Sequence, residues 1–398
     1  MLLLESLDTS LKYDVLKHIY FDGSASCSEL SELLDKSIPV IAKAIAEMIE
    51  AGILIENGYA PSTGGRKPLL YCIKPHNAYI ISVSMDQLNT HIYILDASDN
   101  SEIYARSAEL KLLDNETALA SLELMIKEVL ETVKIPQNKF IGIGLGMPGF
   151  INTKSGINYS YLHTHTDESL RDYLERTFQM PVYVGNDSNV IALAESKFGL
   201  AKGRENVMVI NIGWGIGLGM IVNGKLFRGH AGYAGEFSHI PLSDGDMLCD
   251  CGKRGCMETE ATLKVVAKKS IEEILAGKTS NLQIKESLEE MCEEVMDVAN
   301  KGDQFAIELL SEMAYKIGKG IAILIHINNP EQILLSGRGA KVGRILLAPI
   351  QQALNEYCIP RLVEHTTLNI STLKDKAYEL GTAALVMENL SLKGTQVS

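Results

Sequence analysis

The chain has 398 residues, 46% of them hydrophobic, with 50 acidic against 37 basic side chains and a formal net charge of −13. That length exceeds one ordinary core and predicts two or three domains, and the acidic balance disfavours non-specific binding to polyanions, so any contact with DNA must rest on a local basic patch. No apolar run has the length of a membrane-spanning helix and the N-terminus carries no basic signal-peptide region, which predicts a cytoplasmic protein without membrane insertion.

Residues 10–71 read as three short helices and a hairpin. Leu11, Val15 and Ile19 recur at helical spacing before Asp22-Gly23 stops the first helix. Ser26 or Ser28 caps a second helix carrying Leu30, Leu33 and Leu34, and Ser37 opens a third over 38–51, with Ile41, Ile45 and Ile49 inward and Gly52 at its end. Two helices joined by a short turn, the second showing a Ser37, Lys43 and Glu47 face, form a helix-turn-helix pattern. Residues 53–59 then read as a strand entering a turn at Asn57-Gly58, and the hairpin continues through Gly64-Gly65-Arg66-Lys67-Pro68 into a second strand over 69–72. Such a wing lets Arg66 and Lys67 lie along phosphates or enter the minor groove. Residues 1–72 are therefore expected to form a winged helix-turn-helix DNA-binding domain with Ser37, Lys43, Arg66 and Lys67 on its DNA-facing side. The charge of this stretch, six basic against ten acidic side chains, opposes that reading and leaves a winged helix used for protein contacts as the alternative.

Beyond residue 72, strands and helices alternate. A strand pair is predicted over 79–83 and 91–95, a helix over 116–133, a buried strand running from Phe140 into a loop that ends at Gly149, a helix over 169–177 and a strand over 181–184 that leads into Gly185-Asn186-Asp187. A helix over 190–198, strands over 207–212 and 217–222 and helical segments from Ala261 onward follow. This is the pattern of an α/β body of two related lobes with a cleft between them. The first lobe spans 73–187 and is completed by 380–398; the second spans 188–379 and carries the oligomerisation surface.

Between His239 and Glu258 lie three cysteines and one histidine, and Cys249, Cys251, Cys256 and His239 form a Cys3His set of the kind that closes the tetrahedron of structural Zn²⁺. Gly252 and Gly255 let so short a segment curl round one ion. A tight turn of reduced cysteines without metal is the alternative. The remaining cysteines, Cys27, Cys72, Cys292 and Cys358, are scattered as buried thiols usually are.

Gly144-Leu145-Gly146-Met147-Pro148-Gly149, Gly185-Asn186-Asp187-Ser188-Asn189, Gly213-Trp214-Gly215-Ile216-Gly217, the segment from Gly232 to His239 and the segment from Cys249 to Glu258 together resemble the ROK family. Its members are sugar kinases and sugar-responsive repressors that share an actin-like, hexokinase-like fold. The amino-terminal segment ending in Gly64-Gly65-Arg66-Lys67-Pro68 resembles the DNA-binding domain of the repressor branch. The resemblance implies that Asn186, Asp187, Glu236, His239 and Glu258 bind sugar hydroxyls, Asp187 standing where the kinases keep their general base, and carboxylates and amides held by a rigid turn suit paired hydrogen bonds to vicinal hydroxyls. His239 then serves the metal through one nitrogen and a hydroxyl through the other. His163 and His165, in a loop near the cleft, read as surface residues.

The kinases cradle nucleotide phosphates in an Asp-x-Gly-Gly-Thr turn, which this chain replaces by Asp86-Gln87-Leu88-Asn89-Thr90, and they carry Gly-Thr-Gly where this chain places Trp214. Both departures argue against nucleotide binding and leave no catalytic residue, Asp187 being reduced to a binding role. The resemblance therefore implies a sugar-responsive repressor, expected to be a homodimer or homotetramer that binds operator DNA and senses a sugar or sugar phosphate, whose binding is expected to close the lobes and shift the spacing of the winged helices. The alternatives are a kinase phosphorylating a hexose or N-acetylhexosamine with ATP, and a repressor controlled by a sugar-transport protein.

Overall fold

In the computed structural model, residues 7–60, 67–164, 166–242 and 245–391 are described; Gly64, Gly65, Arg66, His165 and 392–398 lie outside them. The chain divides into two compact units, one of Met1–Asp187 with Tyr378–Ser398 and one of Ser188–Ala377.

The first unit begins with α1 (Ser10–Asp22), where the Thr9 hydroxyl accepts the Lys12 N–H and Gly23, at φ +80°, ends the helix. Strand β1 (Ala25–Ser26) leads into α2 (Cys27–Leu33), whose start is a capping box between Ser26 and Glu29. Helix α3 (Ile38–Glu50) buries Ile41, Ala44, Ile45 and Met48 against Val15, Leu16 and Ile19 of α1. The Lys12 ammonium, almost wholly buried, joins the helices by pairing with Asp8 at 2.9 Å and Glu47 at 2.8 Å. Leu33 is exposed, whereas Leu30 of the same helix is buried.

Strands β2 (Leu54–Tyr59) and β3 (Leu69–Ile73) form an antiparallel sheet in the order β1-β3-β2. Asn57-Gly58 is not the hairpin turn expected from the sequence. The register slips between Glu56 and Tyr59, and Gly58, at φ +72°, takes the left-handed position of a bulge inside β2. Hydrogen bonds join these elements to the rest of the unit: Lys17 Nζ donates to the Glu388 carbonyl at 3.0 Å, Tyr20 Oη to Asn100 Oδ1 at 2.5 Å and Asn77 Nδ2 to the Gly52 carbonyl at 2.8 Å.

Next come β4 (Tyr79–Met85), β5 (Asn89–Asp96), β6 (Glu102–Glu109), α4 (Ala118–Val133), β7 (Phe140–Met147), the short pair β8 (Ile151–Asn152) and β9 (Ile157–Asn158), α5 (Leu170–Phe178) and β10 (Val182–Asn186). The sheet order is β10-β7-β4-β5-β6, with β10, β7 and β4 parallel and β5 and β6 antiparallel. Edge strand β6 escaped the sequence reading because its side chains are exposed or half-buried and it lacks an apolar run.

The second unit holds α6 (Asp187–Phe198) beyond its first residue, then β11 (Val207–Ile212), β12 (Ile216–Val222), β13 (Lys225–Leu226), α7 (Leu263–Leu275), α8 (Leu288–Asn300), α9 (Gln304–Asn328), β14 (Gln332–Ser336), α10 (Gly343–Tyr357), α11 (Pro360–Val363) and β15 (Thr367–Ile370). Its sheet runs β13-β12-β11-β14-β15. Helix α12 (Lys376–Asn389) returns to the first unit, where the Ser82 hydroxyl on β4 donates to the Glu379 carbonyl at 3.0 Å. No described helix is long and apolar enough to cross a membrane. The α/β architecture expected from the sequence is present.

Glu195 on α6 is fully buried, accepting the Ser371 hydroxyl and the Leu200 N–H at 3.2 Å. Burial raises its pKa and these hydrogen bonds offset only part of the rise. The folded chain therefore binds this proton more readily than the unfolded one, so the ionised side chain weakens the fold above its folded-state pKa and the penalty fades as pH falls towards the ordinary glutamate value. Glu195→Gln is expected to be more stable than the parent at pH 7 and to lose the parent's gain on mild acidification. Thermal melts across that range check this, and parallel pH slopes would exclude Glu195 as the source.

Candidate functional site

His239, Cys249, Cys251 and Cys256 converge in the second unit, with their four ligand atoms all within 4.8 Å of one another. The fold of the loop accounts for this. Gly252 and Gly255 both sit at φ +79°, the Cys249 N–H bonds the Lys253 carbonyl at 2.8 Å, and a bridge between Pro241 and Cys256 returns the chain beside the segment that carries His239. Cys249 Sγ lies 3.6 Å from His239 Nδ1, and Cys251 Sγ lies 3.6 Å from Cys256 Sγ. Those separations match the edges, about 3.5–3.8 Å, of a tetrahedron with metal–sulfur bonds near 2.3 Å and a metal–nitrogen bond near 2.1 Å. Burial pushes the Cys256 thiol up to about 12. A cation is what makes thiolates of such groups. The four residues form a cluster able to hold a metal ion.

His239 presents its second nitrogen elsewhere. Its Nε2 lies 3.9 Å from Glu236 Oε2, and the Glu236 carboxylate is exposed. Glu258, two residues past Cys256, accepts the Ile216 N–H at 3.4 Å, and burial raises its pKa against hydrogen bonds from Ser238 and Ile216. Glu236, His239 and Glu258 thus share one short structure, two 3₁₀ turns over Phe237–His239 and Met257–Thr259 with the cysteine loop between them. Ser238 escaped the sequence reading, although it belongs to the same motif.

In the first unit, Asn186 closes β10 and Asp187 opens α6, where a carboxylate is favoured by the helix dipole. Asn186 Nδ2 donates to the Gly149 carbonyl at 3.4 Å, linking the Gly185-Asn186-Asp187 turn to the end of the β7 loop. Both residues are half-buried. Of the residues expected to face DNA, Ser37, Lys43 and Lys67 are exposed, and Arg66 lies outside the described residues. His163 is exposed, and His165 lies outside the described residues.

The two turns that the resemblance aligns with the kinases' phosphate loops are closed by the chain's own side chains. Between β4 and β5, Asp86 Oδ1 accepts the N–H groups of Leu88 at 2.8 Å and Asn89 at 2.7 Å, so the backbone donors of the turn are already spent on a carboxylate. The carbonyls of Leu88 and Gln87 accept Leu110 and Leu112 N–H groups, fixing the turn's outer side. Between β11 and β12, Trp214 is only 6% exposed, and the Arg338 guanidinium lies over its ring, 4.4 Å from the centroid. Glu293 of α8 holds Arg338 through Nη1 at 3.3 Å. Arg338 was not foreseen; its signal was Gly337-Arg338-Gly339, a charged residue between glycines directly after a buried strand.

The sequence model described as ROK family matches residues 89–389. The xylose repressor of Caldicellulosiruptor bescii is 30% identical over 387 residues, covering 94% of this chain and 95% of its own length. The glucokinase of Halalkalibacterium halodurans is 36% identical over 266 residues, covering 65% of this chain and 81% of its own length. A crystal structure of a ROK family transcriptional regulator, a homolog of the E. coli MLC protein, shares the fold with a TM-score of 0.78 at 24% identity, over 97% of this chain and 96% of that one. From its amino-terminal helices to its cysteine loop, the chain belongs to the ROK family.

Proposed function

We propose that this protein is a cytoplasmic, sugar-responsive transcriptional repressor without kinase activity, whose winged helix-turn-helix binds operator DNA and whose body senses a sugar or sugar phosphate. The observation that carries the reading is the first phosphate turn, where Leu88 and Asn89 stand in place of the kinase glycines and their N–H groups bond Asp86, the aspartate this chain shares with the kinase motif. Side chains at both positions crowd backbone that a nucleotide phosphate must approach closely. The xylose repressor spans nearly the whole chain, including its amino-terminal helices, which supports the same reading. Asn186, Asp187, Glu236, His239 and Glu258 are the proposed hydroxyl partners of the effector. Ser37, Lys43, Arg66 and Lys67 are the proposed DNA contacts. A homodimer or homotetramer would present paired winged helices to a two-fold operator, and a sugar-transport protein is a further candidate partner.

Binding of the effector and of the operator are linked equilibria, with an expected coupling of about 1 to 3 kcal/mol in either direction. Sugars and sugar phosphates are screened by titration against the free and the operator-bound protein, the active one being expected to bind the free form about 5- to 150-fold more tightly. Equal affinities would remove the coupling. Arg66→Ala with Lys67→Ala should weaken operator binding and flatten its salt dependence. ATP-dependent phosphorylation of any sugar in that panel would instead establish the kinase reading that the glucokinase relative raises.

The proposed ion of the His239, Cys249, Cys251 and Cys256 cluster is Zn²⁺ in a structural role, since four protein ligands leave no position for an activated water. Elemental analysis should find about one zinc per chain. Chelation, or Cys249→Ser, should lower the melting temperature and weaken effector binding about 10- to 100-fold through the loosened His239. Folded, effector-responsive protein free of zinc would overturn the assignment.

A further inference from the structure

The outer face of α3 has a composition that limits what it can read. Opposite its buried residues it turns Ile38, Pro39, Val40, Ala42, Lys43, Ala46 and Glu50 to solvent. Ile38 and Val40 are 52% and 45% exposed. Lys43, with a side chain 80% exposed, is the one basic residue among the seven, and Glu50, in the last turn, is the one acidic residue. None of the other five side chains carries a hydrogen-bond donor or acceptor, so none can distinguish bases by hydrogen bonding. The base-edge feature that an apolar side chain recognises in the major groove is the C5 methyl of thymine.

Part of the surrounding negative charge is engaged within the fold, although Glu32, Asp35 and Glu50 are exposed. Glu29 turns back onto the Ser26 N–H at 2.7 Å, and Asp8 and Glu47 both pair with the buried Lys12. Lys36, Lys43 and Lys67 remain exposed. Ser37, the residue before α3, makes no side-chain hydrogen bond to the first turn, but Pro39 has no N–H and the Val40 N–H bonds the Ser37 carbonyl at 3.0 Å, so the helix start adds little to phosphate binding.

We propose that α3 selects its operator by packing Ile38, Val40, Ala42 and Ala46 on thymine methyls, with Lys43 supplying the basic side-chain contact from this face. The inference rests on the DNA-binding reading above and adds the chemistry of base selection to it. Specificity here comes from shape and apolar burial rather than from bidentate hydrogen bonds.

The full-length protein is used to select duplexes from a randomised library, and the selected site is remade with deoxyuridine for thymine in its half-sites. Affinity is expected to fall about fourfold for each methyl contacted, the worth of one methyl-sized group removed from water, and more than about tenfold over the whole site. The same exchange outside the half-sites should change nothing. Val40→Asn, at an exposed position the fold does not depend on, should reduce the uracil penalty by the share that Val40 supplies, about fourfold. Tight binding of the selected site with thymine and uracil alike overturns methyl reading while leaving DNA binding intact. Failure to enrich any duplex sinks the DNA-binding reading itself, and this inference with it.

Discussion

Residue 144 has no room for a side chain. A Cβ on Gly144, in the middle of β7, would overlap the Thr382 carbonyl of α12, and the Thr382 hydroxyl is itself bonded to Ser82 on neighbouring β4. The helix can lie this close to the sheet only because the strand beneath it is bare at that point. The same helix, near its C-terminal end, offers the Glu388 carbonyl to Lys17 of α1. The amino-terminal helices are thus tied through α12 to the sheet whose β10 ends in Asn186.

The cysteine loop gives the second unit a comparable constraint. His239 has two nitrogens with separate tasks: Nδ1 faces Cys249, and Nε2 faces Glu236. An imidazole fixed on one side by a metal has little freedom on the other, so its ring orientation is set before any ligand arrives. Glu258 stands two residues beyond a ligand cysteine and is steadied by Ile216 of β12. On the proposed reading, the metal preorganises polar side chains and performs no chemistry of its own.

Much of the fold was legible because its signals are local. Helical spacing, Ser26 and Gly23 at helix ends, and continuous apolar strands such as Phe140–Met147 depend on near neighbours alone. The cysteine cluster was legible for the same reason, its four residues lying close in sequence. What was not legible depends on partners far along the chain. The pairing of β6 is set by β5 rather than by its own pattern, and the Asn57-Gly58 bulge is set by the register with β3. Asp86 could be seen to lack the kinase glycines, but not to bond its own turn. Arg338 stands 124 residues from Trp214, and no spacing rule connects them.

On the proposed reading, two separate turns are closed to a nucleotide. In one, Trp214 and Arg338 fill space, so a bound nucleotide would have to displace an aromatic ring and a guanidinium that Glu293 holds in place. In the other, Leu88 and Asn89 stand where the kinase motif has its two glycines, and their side chains crowd backbone that phosphate oxygens must approach, while Asp86 is the aspartate that both share. Smaller side chains at 214 and 338 would open the one turn and leave the other closed, and the reverse holds for glycines at 88 and 89. Recovering nucleotide binding therefore requires both to be undone, whereas the polar residues assigned to the effector depend on neither.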